Sequence, residues 1–228
     1  METTKRKPRA AKSEERKAWE REQRINRLID IVQELFFTHG YDGTTVEDIA
    51  RAAGYTKRSI YLYFKDRDEL FLAVVQRGQT LFKQAISDAL KNRENNKKNP
   101  LIIDIGKAFY RFSLDYPDHF KLLMTYESRL HRYYNRDELT DDGNFKSQCQ
   151  NLSFEYGSLV TSAIEDDIKA GHIKTTLTAR QLMLLLWGQI FGVMQIILMR
   201  QESFEEAYGI KPEALFEKYL QMEIKSLQ

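Results

Sequence analysis

At 228 residues the chain is long enough for one sizeable domain, or a small one joined to a larger one. Four prolines, eleven glycines and few alternating β-type runs, in a composition rich in Leu, Ile, Lys, Glu, Gln, Arg and Ala, favour an all-α fold. The single cysteine, Cys149, excludes an internal disulfide framework, and the start of the chain lacks the apolar core of a signal peptide, so a cytoplasmic protein is expected. The net charge of +2 is unevenly spread: residues 1–67 hold 15 Lys/Arg against 11 Asp/Glu, and the remainder 20 against 22. A basic excess at one end suits an anionic partner there, although a solvated tail has the same composition.

Residues 1–12 (METTKRKPRAAK) contain almost nothing to bury and are expected to be disordered. Lys5, Arg6, Lys7 and Arg9 suit either a basic arm lying along a DNA groove or a solubilising tail. A helical pattern begins at Ser13 and turns amphipathic at Ile25, Leu28, Ile29, Val32, Leu35 and Phe36. His39-Gly40 ends it, with Gly40 as the left-handed cap and His39 as a helix-end residue. Thr44-Thr45-Val46-Glu47 reads as a capping box opening a second helix, whose inner face is Val46, Ile49, Ala50 and Ala53. Gly54 ends that helix, and Thr56 caps a very short third one. Ile60 and Phe64 point inward there, leaving Lys57, Arg58, Tyr61 and Leu62 outward.

Asp66-Arg67-Asp68-Glu69 reads as a further capping box for a long helix to about Lys91, with Gly78 marking either close packing or a flexible point. Asn92–Asn99 is a polar loop. Helices follow over Leu101–Leu114, Pro117–Tyr134, Phe145–Ala170 and from Ala179 to near Arg200, with a loop over Asp137–Asn144 and a last helix from Pro212. Leu182–Met199 barely reaches membrane-spanning length and contains Gln189 and Gln195, so a buried interface helix explains it better than a membrane.

The stretch from Thr44 to Leu70 has the parts of a helix-turn-helix, a short helix held rigidly so that its outer side chains enter the major groove. Arg58 or Lys57 can donate to guanine O6 and N7, and Tyr61 and Leu62 can touch a thymine methyl. Thr45, Thr56, Ser59, Tyr63 and Arg67 lie at helix starts or flanks, where hydroxyls and cations meet phosphates.

Residues 25–75 resemble the N-terminal domain of the tetracycline-repressor (TetR) family of bacterial transcription regulators. The resemblance lies in Phe36-Phe37-x-x-Gly40-Tyr41, Gly43-Thr44-Thr45-Val46 and Ile49-Ala50-x-x-Ala53-Gly54. It continues through Thr56-Lys57, Ser59-Ile60-Tyr61-x-Tyr63-Phe64 and Asp66-Arg67-x-Glu69-Leu70. It implies phosphate contacts at Thr45, Thr56, Tyr63 and Arg67, and base-facing positions at Lys57, Arg58, Tyr61 and Leu62. Two positions depart from the pattern: Arg58 replaces a small residue or proline, and Arg67 replaces the usual lysine.

The resemblance implies an effector pocket and a dimer in the C-terminal helices. The chain thus divides into an arm and helix extension (1–24), a helix-turn-helix domain (25–70) and an effector-binding and dimerisation domain (71–228). Helices near 145–170 and 179–200, the second apolar nearly all round and carrying Gly188 and Gly192, suit an isologous four-helix interface between two copies. Phe109, Phe112, Tyr116, Phe120, Met124, Tyr126, Trp187, Phe191 and Met194 suit either an apolar effector pocket or plain core packing. The charged run Glu127–Tyr134 suits an anchor for an acidic ligand group or a solvated face.

No phosphate-cradling glycine loop, nucleophile elbow or paired Cys/His motif is present, so neither an enzyme nor a cofactor or metal site is expected. The expectation is a homodimeric repressor on a palindromic double-stranded DNA operator, released by a small apolar effector. The alternatives are an activator, or a helical sensor or adaptor that has lost specific DNA binding.

Overall fold

The computed structural model describes residues 9–92, 100–133, 144–200 and 203–227. Most of the basic arm, and the loops expected at 92–99 and 137–144 apart from their end residues, lie outside the described residues. Every regular element among them is a helix. In order these are α1 (Arg9–His39), α2 (Val46–Ala53), α3 (Lys57–Ile60), α4 (Arg67–Asn92), α5 (Leu101–Asp115), α6 (Pro117–Ser128), α7 (Leu130–Tyr133), α8 (Phe145–Lys169), α9 (Ala179–Met199), α10 (Phe204–Tyr208) and α11 (Pro212–Leu227). The chain forms two compact units, Met1–Val74 and Val75–Gln228, with the boundary inside α4.

In the first unit, α1 starts at Arg9 rather than Ser13, and its amphipathic stripe buries Leu28, Ile29, Val32 and Phe36. These pack with Val46, Ile49 and Ala50 of α2, Ile60 and Phe64, and the first turns of α4. Phe36, Tyr41 and Phe71 form an aromatic triad with ring centroids 4.6 to 6.2 Å apart. Gly40 (φ 72°) and Gly54 (φ 68°) take the left-handed conformation that ends α1 and α2.

The capping box of α2 corrects the sequence expectation by one residue. Thr45 is the cap and Asp48 its partner, each accepting from the other's backbone N–H. Glu47 instead pairs with Lys57, and Thr44 is buried with its hydroxyl donating to the Gly40 carbonyl. At α4 the Asp66 carboxylate accepts from the Glu69 N–H at 2.8 Å.

In the second unit, α5 packs on α6, α8 and α11, and α8 on α9. The helix expected over Pro117–Tyr134 breaks at Arg129 into α6 and α7, and α10 is an unanticipated short element. Pro100 offers no side-chain cap for α5, and the buried Asp167 of α8 replaces it by accepting from the Leu101 N–H. A Cβ at Gly78 would come within 3.2 Å of His119, so this glycine marks close packing of α4 against α6. Cys149 is fully buried.

By length and composition α9 could cross a membrane, and only 28% of its apolar window is buried within the chain. Leu184, Leu185, Gly188, Ile196 and Met199 are exposed, Met199 at 78%. At 3.6 residues per turn they fall within about 120° of one face.

Candidate nucleic-acid interface and ligand cavity

The candidate interface centres on α3, which is only four residues long. A helix this short cannot hold itself, so its shape comes from its cap and its two buried anchors. Thr56 accepts from the Ser59 N–H at 3.1 Å, and the Phe64 N–H reaches the Ile60 carbonyl at 3.1 Å. Ile60 and Phe64 are buried, which forces Lys57, Arg58, Tyr61 and Leu62 outward; Leu62 is 70% exposed. These four share one solvent-facing surface with Thr56.

The polar groups on this surface are not equally available. Arg58 is exposed and has no polar partner among the described residues. Lys57 is held by Glu47 of α2, and that hydrogen bond raises the lysine pKa and lowers that of the carboxylate. The Thr45 hydroxyl is occupied by Asp48, whose pKa it lowers, and Thr56 bonds Ser59 Oγ at 2.9 Å.

Arg67 is placed differently from the rest. Its guanidinium donates to the Tyr41 carbonyl and lies over the Tyr41 ring at 4.0 Å, while Asp68 accepts from the Tyr41 hydroxyl. It fixes the corner after α1.

Sequence patterning does not single out two arginines of α1 that close over this surface. Arg21 lies 5.4 Å from the Tyr63 ring and reaches the Leu62 carbonyl at 3.4 Å. Arg24 sits beside the Tyr63 hydroxyl, which raises the pKa of its guanidinium. Their spacing of three on one helix face is the signal that could have found them.

The second unit contains a cavity of about 240 Å³ between α4, α5, α6, α8, α9 and α11. Phe109 and Trp187 line it, their rings 5.4 Å apart and edge to face. Phe112, Phe120, Met124, Tyr126 and Met194 are buried packing residues outside the lining; half-buried Phe191 also lies outside it, its ring tilted against Trp187 at 6.2 Å, and Tyr116 is exposed. Residues not singled out by the sequence complete the wall, among them Phe82, Ile86, Met183, Tyr219 and Leu220.

Two carboxylates, Glu127 and Glu223, also line the cavity. Burial pushes Glu127 up to about 7, only partly offset by the Tyr156 hydroxyl donating to it at 3.4 Å. Burial raises Glu223 as well, and holds the Tyr156 and Tyr219 phenols above their ordinary value. From Tyr156 a hydrogen-bonded chain continues to Ser153 Oγ (3.0 Å) and to Gln79 Nε2 on α4 (3.0 Å). With Tyr156 donating to Glu127, every donor in this chain points towards the carboxylate. No group of His, Cys, Asp and Glu among the described residues could hold a metal ion.

Residues 28–74 match the tetR family of bacterial regulatory proteins, and residues 121–224 match the C-terminal region of the MAATS-type transcriptional repressors. The chain belongs to the TetR family of transcriptional regulators. TetR regulators bind DNA and small ligands, and the two matched regions fall on the helix-turn-helix unit and on the unit with the cavity. The chain is 23% identical over 178 residues to the fatty acid metabolism regulator protein of Bacillus subtilis, covering 78% of this chain and 85% of that protein. Among solved structures it resembles the fatty acid degradation regulator FadR from Bacillus halodurans, with TM-score 0.59, 17% identity, and coverage of 89% of this chain and 99% of that one. FadR from Bacillus subtilis in complex with stearoyl-CoA is similar at TM-score 0.54 and 19% identity, over 88% and 98% of the two chains. At such identities the structural likeness establishes the TetR fold.

Proposed function

We propose that this chain is a ligand-responsive repressor that binds a palindromic operator as a homodimer through α3. The observation that carries the reading is the free, exposed Arg58 beside Tyr61 and Leu62, on a helix pinned from behind by Ile60 and Phe64. Arginine donates two hydrogen bonds to guanine, and the apolar neighbours suit a thymine methyl. Tyr63, Thr56, Arg67 and the α1 arginines then meet phosphates on either side. Repression rather than activation is supported by the match of residues 121–224 to a repressor C-terminal region.

The exposed apolar face of α9 supports the dimer. Among the described residues nothing beyond its own helix backbone and chain neighbours lies within 4 Å of a Cβ at Gly188 or Gly192, so a second copy could approach closely there. A twofold dimer presents two α3 segments, and the operator half-sites would then lie about 34–36 Å apart, or a multiple of that. An effector that binds better to a dimer with its α3 segments misplaced would lower operator affinity by linkage. Titrating the protein against its own upstream DNA, with and without candidate effectors, tests this. One strongly preferred fragment is expected, and equal affinity for all fragments would favour the adaptor reading instead.

A further inference from the structure

We propose that the cavity of the second unit receives an apolar molecule carrying a positive charge, such as an alkylammonium or a lipophilic aromatic cation, with Glu127 as its counter-charge. This rests on the ligand-responsive reading above and names the class of ligand.

The cavity has two carboxylates in its wall, and among the described residues no lysine, arginine or histidine lines it. Among the described residues Glu127 has neither an ion pair nor a backbone donor; the Tyr156 hydroxyl at 3.4 Å is its hydrogen-bond partner. An ionised carboxylate in an apolar wall with one weak donor is poorly solvated, which is why its proton is held so tightly. A cation entering the cavity would relieve that cost, because opposite charges attract strongly where water is excluded. Phe82, Phe109, Tyr156, Trp187 and Tyr219 add aromatic rings around the same space, and the face of a ring attracts a cation further.

A carboxylate or phosphate headgroup in the same place would meet two acids and no described base. A neutral chain would gain only from the apolar wall. The wall therefore discriminates by charge as well as by shape, and it disfavours an anionic ligand such as the stearoyl-CoA of the Bacillus subtilis FadR complex.

The test is calorimetric titration of the full-length protein at about pH 8, where Glu127 is ionised. The probes are decyltrimethylammonium, decanol and decanoate, which share one chain and differ in charge, together with stearoyl-CoA. The cation is expected to bind at least about tenfold more tightly than the other three. Glu127→Gln should bring cation and alcohol to within about threefold of each other, and Glu223→Gln should narrow the gap by less. If the first variant does not fold, the wild-type ranking and the second variant decide.

Equal or tighter binding of decanol, decanoate or stearoyl-CoA would overturn the proposal. So would an undiminished preference in Glu127→Gln, or no binding of any probe. Operator release is scored separately by fluorescence anisotropy of labelled DNA. A neutral or anionic probe that binds and releases DNA leaves the repressor reading standing and removes this one. A cation that binds without changing operator affinity does the reverse.

Discussion

In the proposed reading Arg58 and Glu127 carry the recognition chemistry: among the described residues Arg58 has no polar partner, and Glu127 has only the Tyr156 hydroxyl at 3.4 Å. Arg58 points into solvent with no described partner, whereas Lys57 must first leave Glu47 before it can reach a base. Arg58→Ala is therefore expected to cost about 1–3 kcal/mol of specific operator binding, measured by anisotropy, and to relax the preference at one base position. Arg67→Ala should behave differently, since its guanidinium also holds the Tyr41 corner: operator affinity and melting temperature should both fall. An Arg67 variant with unchanged melting temperature would assign that residue to DNA alone.

Glu127 makes stability depend on pH, with a definite sign. Its carboxyl is held up at about 7 in the folded chain against the ordinary 4.5, so the folded state binds this proton more tightly than the unfolded one. That contribution is fully present below about pH 4.5 and is lost as pH rises through about 7; it amounts to roughly 3 kcal/mol. The titratable group acting on it is the Tyr156 phenol, itself kept neutral by burial, and Glu223 stands elsewhere on the lining. Glu127→Gln should flatten the chemical-denaturation stability profile between those pH values, and an unaltered slope would show that the carboxylate is not buried as described.

At the scale of the element, α4 is the helix to test. Its first turns belong to the helix-turn-helix unit and its middle carries Gly78 and Gln79, one against His119 and the other at the end of the chain of hydrogen bonds from Glu127. Alanine at an open helical position would stabilise by about 1 kcal/mol over glycine, but here the new Cβ meets the His119 ring. Gly78→Ala is expected to leave the melting temperature unchanged or lower, and a clear rise would show that the ring gives way freely. Tyr156→Phe removes the hydroxyl joining Glu127 to Ser153; effector binding should survive it better than effector-driven DNA release does.

Helix positions, caps and the outward face of α3 were legible in the sequence because they depend on local spacing. The one-residue slip at the α2 cap arose where two adjacent threonines compete, and only burial shows that Thr44 turns inward while Thr45 caps. The cavity was less legible. Phe112, Phe120 and Met124 are as apolar as Phe109, and which of them borders a void depends on how neighbouring helices fill space. Tyr219 lies on the apolar face that the helical spacing gives the last helix, but that this face and Glu223 border the cavity depends on packing that no local pattern encodes.

For the whole molecule, the exposed face of α9 and the geometry of DNA make one linked expectation. If two copies pair through Leu184, Leu185, Gly188 and Met199, then Leu185→Asp with Met199→Asp should convert the dimer to monomers in light scattering. Operator affinity should fall by at least about tenfold, because one half-site no longer brings its neighbour into place. A dimer that survives both substitutions would move the interface elsewhere. Fluorescence anisotropy with the wild-type chain and Arg58→Ala on DNA from upstream of its own gene tests the regulator reading as a whole. Wild type should bind one fragment far more tightly than scrambled DNA of the same length, and Arg58→Ala should lose most of that margin. Equal affinity for the native and scrambled fragments, with no change on substituting Arg58, would contradict sequence-specific regulation through α3.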